Sequence, residues 1–104
     1  MPPRIVLVSP IAHEQGGQAR NADLAQYTSR MKKVAVARSI RFVDLFAPTR
    51  EWMERDNPRP LTFNGIHLTE FGDWAVSRML VQALGLSREK PLVVSKHTER
   101  FQGN

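Results

Sequence analysis

The sequence predicts an α/β fold, an incomplete three-layer α/β/α sandwich with a short parallel sheet. Two apolar segments at residues 4–8 and 40–45 are predicted strands, and a helical pattern lies between them. The first segment is a continuous β-branched run, typical of a parallel strand buried on both faces. A strand–helix–strand order requires a parallel pair and a right-handed crossover, which places functional loops at the carboxyl ends of the strands.

The segment between the strands is predicted to be a loop followed by a helix. Residues 13–20 show no periodicity and contain two adjacent glycines, typical of a flexible loop. Apolar residues then recur at helical spacing over residues 23–37, with Asn21 as the expected N-cap. The expected inward stripe consists of Leu24, Tyr27, Met31, Val34 and Ala35.

A short helix is predicted directly after the second strand. Thr49 is expected to cap it, Arg55 to end it, and Trp52 and Met53 to point inward. The proline-containing residues 56–60 then begin a loop.

The last predicted helix follows this loop. Thr69 is its expected N-cap and Gly85 its C-terminal stop. The expected inward residues are Phe71, Trp74, Met79, Leu80 and Ala83. Residues 1–87 are predicted to belong to one domain, and residues 88–104, which include His97, to a polar tail.

Composition limits the classes of function. A chain of 104 residues forms at most one small domain, and the lack of cysteine excludes disulfides and thiolate metal sites. The net charge of +5 is spread among acids except in a basic block at residues 30–41, so nucleic-acid binding is not expected. No apolar run is long enough for a membrane span. Cytoplasmic localisation is the default, and secretion with a longer precursor remains open.

One of the three histidines lies in an informative context. His67 precedes a predicted helix in the stretch Asn-Gly-Ile-His-Leu-Thr-Glu-Phe-Gly, residues 64–72. This stretch resembles the final block of the SGNH (GDSL-like) hydrolase family, where Asp-x-x-His supplies the acid and general base of a serine esterase. The order of elements over residues 4–84 is also similar to the last third of that family, whose fold is a flavodoxin-like sandwich.

The resemblance implies hydrolysis of an acyl or acetyl ester on a small or carbohydrate substrate, without a cofactor. His67 matches the general base, and Asn64 stands where the family has its acid. An amide can orient an imidazole by hydrogen bonding but cannot balance its positive charge. Asp44, Glu70 and Asp73 are acids that could replace it.

The family's nucleophile and oxyanion blocks, Gly-Asp-Ser and Gly-x-Asn-Asp, do not occur in the 104 residues. Acyl transfer needs nucleophile, base and oxyanion donors together, so the chain alone is expected to be a poor esterase. The alternative is a non-catalytic interaction or oligomerisation module derived from the fold. Because two strands leave unpaired edges, the expected partner is a second copy or a missing N-terminal half.

Two further residues are candidates for substrate binding. Ser9 follows the first strand, but Ser-Pro is a common turn and no Gly-x-Ser-x-Gly surrounds it, so a nucleophilic role is not favoured. His13 lies with Glu14 in the glycine-rich loop, where the pair lines the cleft, binds an anion or, as is commoner, is simply solvated. His13 and His67 have no recognisable metal-ligand spacing, so no metal is expected.

Overall fold

The computed structural model describes residues 4–86, which form a small α/β fold. The elements in chain order are β1 (Val6–Val8), α1 (Asn21–Ala37), β2 (Arg41–Val43), α2 (Phe46–Met53) and α3 (Glu70–Ala83), with one 3-10 turn at Gln18–Arg20. Within residues 4–86 no helix has the length and apolar character needed to cross a membrane. The predicted tail, residues 88–104, and His97 within it lie outside the described part.

The predicted parallel strand pair is confirmed. β1 and β2 pair in parallel with Val6 opposite Arg41 and Val8 opposite Val43, and α1 connects them. Burial of β1 on both faces is a wrong prediction, because Val6 and Val8 are each 39% exposed. Among the described residues the main helix contact of the sheet is that of α1 with β2, which leaves both valines of β1 partly accessible to solvent.

α1 forms where its periodicity predicts, but its N-cap is not Asn21. Arg20 occupies that position without a side-chain hydrogen bond. The Asn21 amide faces the preceding loop instead, where Oδ1 accepts from the His13 N–H (2.8 Å) and Nδ2 donates to the His13 carbonyl (3.1 Å). The Asn21 side chain therefore bonds to the His13 backbone, eight residues earlier, instead of capping its own helix.

The inward face of α1 is narrower than predicted. Thr28 and Ala35 are buried, whereas Tyr27 and Val34 are mostly exposed. α1 packs against β2 and α2, so only the stripe that faces these two elements is covered.

α2 begins at Phe46, earlier than predicted, and Thr49 lies inside it rather than at its cap. Ser9 from the β1 end supplies the missing cap, since its Oγ accepts from the N–H groups of Leu45 (2.8 Å) and Phe46 (3.0 Å). Thr49 is fully buried, and its hydroxyl accepts from the Ala12 N–H at 2.9 Å. The first turn of α2 is thus attached to the loop that follows β1.

The core joins α2 to α3 through the loop between them. Trp52, Leu61, Phe71 and Ala75 form one buried cluster, and the rings of Trp52 and Phe71 lie 5.6 Å apart. The inward prediction for Trp52 and Phe71 is therefore confirmed. Met53, Leu68, Trp74 and Met79 pack around the cluster.

Both predicted ends of α3 are confirmed. The Thr69 side chain accepts from the Gly72 N–H at 2.9 Å, and Gly85 has the positive φ of a helix-terminating residue. The inward prediction for Ala83 is wrong. Ala83 is exposed because the last turn of α3 extends past the core cluster.

Candidate functional site

The loop that carries His67 is a compact turn between α2 and α3. Its two sides are joined by an antiparallel bridge between Thr62 and Leu68 and by a hydrogen bond from the Phe63 N–H to the His67 carbonyl (3.0 Å). The Thr69 N–H donates to the Leu61 carbonyl at 2.8 Å and closes the base of the turn. We call residues 61–69 the histidine loop, with His67 and Asn64 exposed at its tip.

Asn64 contacts His67 in two ways. Its Oδ1 accepts from the backbone N–H groups of His67 (2.8 Å) and Ile66 (3.1 Å). Its Nδ2 lies 2.7 Å from His67 Nδ1. The two backbone donors assign Oδ1, so the NH₂ group must face the ring. A neutral imidazole in this position accepts at Nδ1 and carries its ring proton on Nε2.

This tautomer is the reverse of the one that a serine esterase uses. There the carboxylate accepts from Nδ1–H, and the bare Nε2 removes the serine proton. In this chain Nε2 presents an N–H at rest. If the Asn64 amide turns over to accept from Nδ1–H and so frees Nε2, Oδ1 leaves two backbone donors at a cost of about 1 kcal/mol each.

The surface around the imidazole is apolar. The Phe63 ring is 65% exposed and stacks on the His67 ring at a centroid distance of 5.9 Å and an interplanar angle of 25°. Ile66 is also exposed. The tip of the histidine loop therefore presents two exposed apolar side chains beside the imidazole.

Ser9 is placed away from solvent. It is only 5% exposed, and its hydroxyl caps α2 while donating to the Pro10 carbonyl at 3.0 Å. Within the described residues no hydrogen bond joins Ser9 to His67. The structure thus gives Ser9 a capping role, and its predicted contact with substrate stays a prediction.

His13 and Glu14 differ in their surroundings. His13 is half-buried, and its backbone is held by Asn21. Glu14 is 8% exposed, so the interpretation of a solvated pair is wrong for it. Its carboxylate accepts from the N–H groups of Leu61 (3.2 Å) and Thr62 (2.8 Å) and from the Thr62 hydroxyl (2.6 Å).

Among residues 4–86 no carboxylate is hydrogen-bonded to His67, so the candidate replacement acids remain unassigned. Asp44 accepts from the Ala47 N–H at 3.0 Å, and Glu70 and Asp73 lie exposed in the first turn of α3. The same part of the chain contains no group of three or more residues with metal-ligating side chains that could hold an ion.

No protein-family model, curated protein or solved structure matches this chain.

Proposed function

We propose that the chain carries the histidine-bearing part of an SGNH-like ester hydrolase site, with the serine and oxyanion blocks supplied from outside it. The observation that carries the proposal is the 2.7 Å contact between Asn64 Nδ2 and His67 Nδ1. It joins the two positions of the Asn-x-x-His motif on an exposed turn in front of the capped helix α3.

The proposed reaction is hydrolysis of an acyl or acetyl ester on a small or carbohydrate molecule. A serine hydroxyl attacks the carbonyl carbon and passes its proton to His67 Nε2, which then protonates the leaving alcohol. Water then attacks the acyl-enzyme with His67 as the general base, which releases the carboxylic acid and restores the serine hydroxyl. The exposed Phe63 and Ile66 offer apolar contact to the acyl or sugar part of the substrate.

The same geometry limits the rate. Replacing the triad carboxylate by an amide in a serine protease lowers turnover roughly 10⁴-fold because the ring is held in the wrong tautomer. Asn64 imposes that tautomer on His67. A completed site is therefore expected to be slow unless another carboxylate approaches Nδ1.

A second candidate, a non-catalytic interaction or oligomerisation module, is favoured by β1. Strands of parallel sheets are normally covered on both faces, yet Val6 and Val8 are partly exposed and Ile5 is mostly exposed. The Nε2–H of His67, a donor rather than a base at rest, also suits binding.

The test compares hydrolysis of 4-nitrophenyl acetate by the chain with that by His67→Ala, and His13→Ala is the matched control for unspecific imidazole reactivity. We expect the three proteins to give equal background rates. A rate that depends on His67 and is blocked by a serine-directed phosphonate would place the nucleophile within the 104 residues and contradict the incomplete site.

The coding DNA upstream of Met1 is then read for a Gly-Asp-Ser block, and the extended product is assayed with the same variants. We expect phosphonate-sensitive hydrolysis that His67→Ala abolishes and that Glu51→Gln, an added control at an exposed residue of α2, leaves unchanged. If no such block exists in the extended product, or if its hydrolysis is independent of His67, the proposal fails and the interaction module remains.

A further inference from the structure

We infer that Glu14 is a positioning residue whose buried carboxylate holds the histidine loop in the conformation that orients His67. Oε2 accepts from the Leu61 N–H at 3.2 Å. Oε1 accepts from the Thr62 N–H at 2.8 Å and from the Thr62 hydroxyl at 2.6 Å. All three donors belong to the first two residues of the histidine loop.

Thr62 extends this contact towards the tip. Its Oγ1 donates to Glu14 and accepts from the Gly65 N–H at 3.0 Å, so one hydroxyl links the carboxylate to the turn that contains Asn64. The Glu14 N–H donates to the Gly65 carbonyl at 2.9 Å, and the Gln15 side chain donates to the Thr62 carbonyl. The loop is therefore held by both the backbone and the side chains of residues 14–15.

Gly65 permits this close approach. It has φ of +97°, and a Cβ built on it would lie 2.5 Å from the Glu14 carbonyl oxygen. Any other residue would push the tip of the histidine loop away from Glu14. The contact is thus tight enough for a displacement at Glu14 to reach Asn64, which is adjacent to Gly65 in the chain.

The carboxylate is suited to this role because it has only acceptors. Three hydrogen bonds offset the cost of removing its charge from water, and such bonds are roughly twice as strong as neutral ones. A glutamine has one oxygen, so whichever way its amide turns, the NH₂ group faces at least one loop donor. The remaining hydrogen bonds also lose the contribution of the charge.

The consequence for catalysis rests on the proposed function, whereas the position of the histidine loop can be measured without any hydrolysis. The first variant is Glu14→Gln, with Glu51→Gln as a matched control. Glu51 is exposed, and its carboxylate is hydrogen-bonded to Arg55, four residues further along the chain, at 3.0 Å. The readouts are the side-chain ¹⁵N signals of His67, which report its tautomer, and amide hydrogen exchange in the histidine loop.

In the wild-type chain and in Glu51→Gln we expect a single Nε2–H tautomer. In Glu14→Gln we expect a mixture of tautomers and about tenfold faster exchange at the Leu61 and Thr62 amides, the change that loss of one charged hydrogen bond produces. An unchanged His67 spectrum in a folded Glu14→Gln protein would overturn the inference.

A second pair of variants applies if Glu14→Gln does not fold. Thr62→Val removes the hydroxyl but keeps the shape, and Thr62→Ser restores the hydroxyl. We expect the mixture of tautomers in Thr62→Val and the wild-type signal in Thr62→Ser; identical spectra in the two would refute the role of the Glu14–Thr62 contact. The wild-type chain offers a further check. If the Thr62 and Gly65 amides exchange hydrogen as fast as in an unfolded peptide, the role of the Glu14–Thr62 contact is also refuted.

These results separate the two proposals. If Glu14→Gln alters the His67 signals while the extended product shows no His67-dependent hydrolysis, the positioning role stands and the esterase proposal fails. If the extended product is active and Glu14→Gln leaves both its pH profile and the His67 signals unchanged, the positioning role fails and the esterase proposal stands.

Discussion

Gly72→Ala tests how α3 is attached to the histidine loop. Gly72 lies in the first turn of α3, and a Cβ built on it would be 1.9 Å from the Leu61 carbonyl oxygen and 3.1 Å from Leu68 Cδ2. Cβ atoms in proteins essentially never approach within 3.0 Å, so the backbone of Leu61 or the start of α3 must shift by about 1 Å. Because the nearest atom is backbone, no side-chain rotation relieves the overlap.

Two opposing terms decide the magnitude. Alanine is about 1 kcal/mol better than glycine inside a helix. Overpacking costs about 1–3 kcal/mol, and moving Leu61 also strains the hydrogen bond from the Thr69 N–H to its carbonyl (2.8 Å), worth about 1 kcal/mol. The cost of the overlap exceeds the gain in helix propensity, because the Cβ meets the Leu61 carbonyl oxygen, a backbone atom that cannot rotate away. We expect a net loss of about 2 kcal/mol in the free energy of unfolding.

The assay is urea unfolding followed by tryptophan fluorescence, since Trp52 lies in the core cluster next to Phe71. In a domain of this size the loss corresponds to a fall in Tm of roughly 8–16 °C. Gly85→Ala is the control, because within residues 4–86, its chain neighbours aside, no atom lies within 4 Å of its built Cβ and its φ of +72° is the source of strain. Its cost is expected to be about 1 kcal/mol. A Gly72→Ala protein as stable as the wild type would refute the close approach.

Two further predictions concern single hydrogen bonds. Thr69→Ala removes the acceptor of the Gly72 N–H and should cost about 1 kcal/mol by urea unfolding, whereas Thr69→Ser should cost less; equal losses would argue against the cap. Asn64→Asp replaces the donor that faces His67 Nδ1 by an acceptor and should move the ring proton to Nδ1, as measured by side-chain ¹⁵N signals. Retention of the Nε2–H tautomer in that variant would contradict the assignment.

The elements that follow from local patterns were predictable from the sequence. The parallel strand pair, the extent of α1 and both ends of α3 depend on apolar periodicity, on Thr69 as a cap and on Gly85 as a terminator. Each of these signals acts within one or two turns of the chain. Elements that depend on residues close in sequence can therefore be predicted from the sequence alone.

The wrong predictions of helix caps and of the solvated Glu14 have a common physical cause, which is competition from hydrogen-bond partners that are distant in sequence. Asn21 caps a loop instead of its own helix, and the N–H groups at the start of α2 bond to Ser9, which lies 36 residues before the first of them. Glu14 bonds to Leu61 and Thr62 across separations of 47 and 48 residues. No local pattern marks a glutamate before two glycines as buried, so this role was missed.

The candidate site shows the same division between spacing and chemistry. The Asn-x-x-His spacing brings Asn64 and His67 into contact, because a tight turn places positions three apart side by side. It does not predict which atom faces the ring. The orientation of the Asn64 amide is set by the backbone N–H groups of Ile66 and His67, which both donate to Oδ1.

A carboxylate at this position would have a second oxygen left for Nδ1–H, whereas an amide has only donors left. The same turn therefore supports a base when residue 64 is an acid and a hydrogen-bond donor when it is Asn64. Because the backbone bonds are unaffected by this exchange, the fold places no constraint on which of the two the loop presents. For this reason the tautomer of His67, and not the presence of a histidine alone, limits how fast a completed esterase site could work.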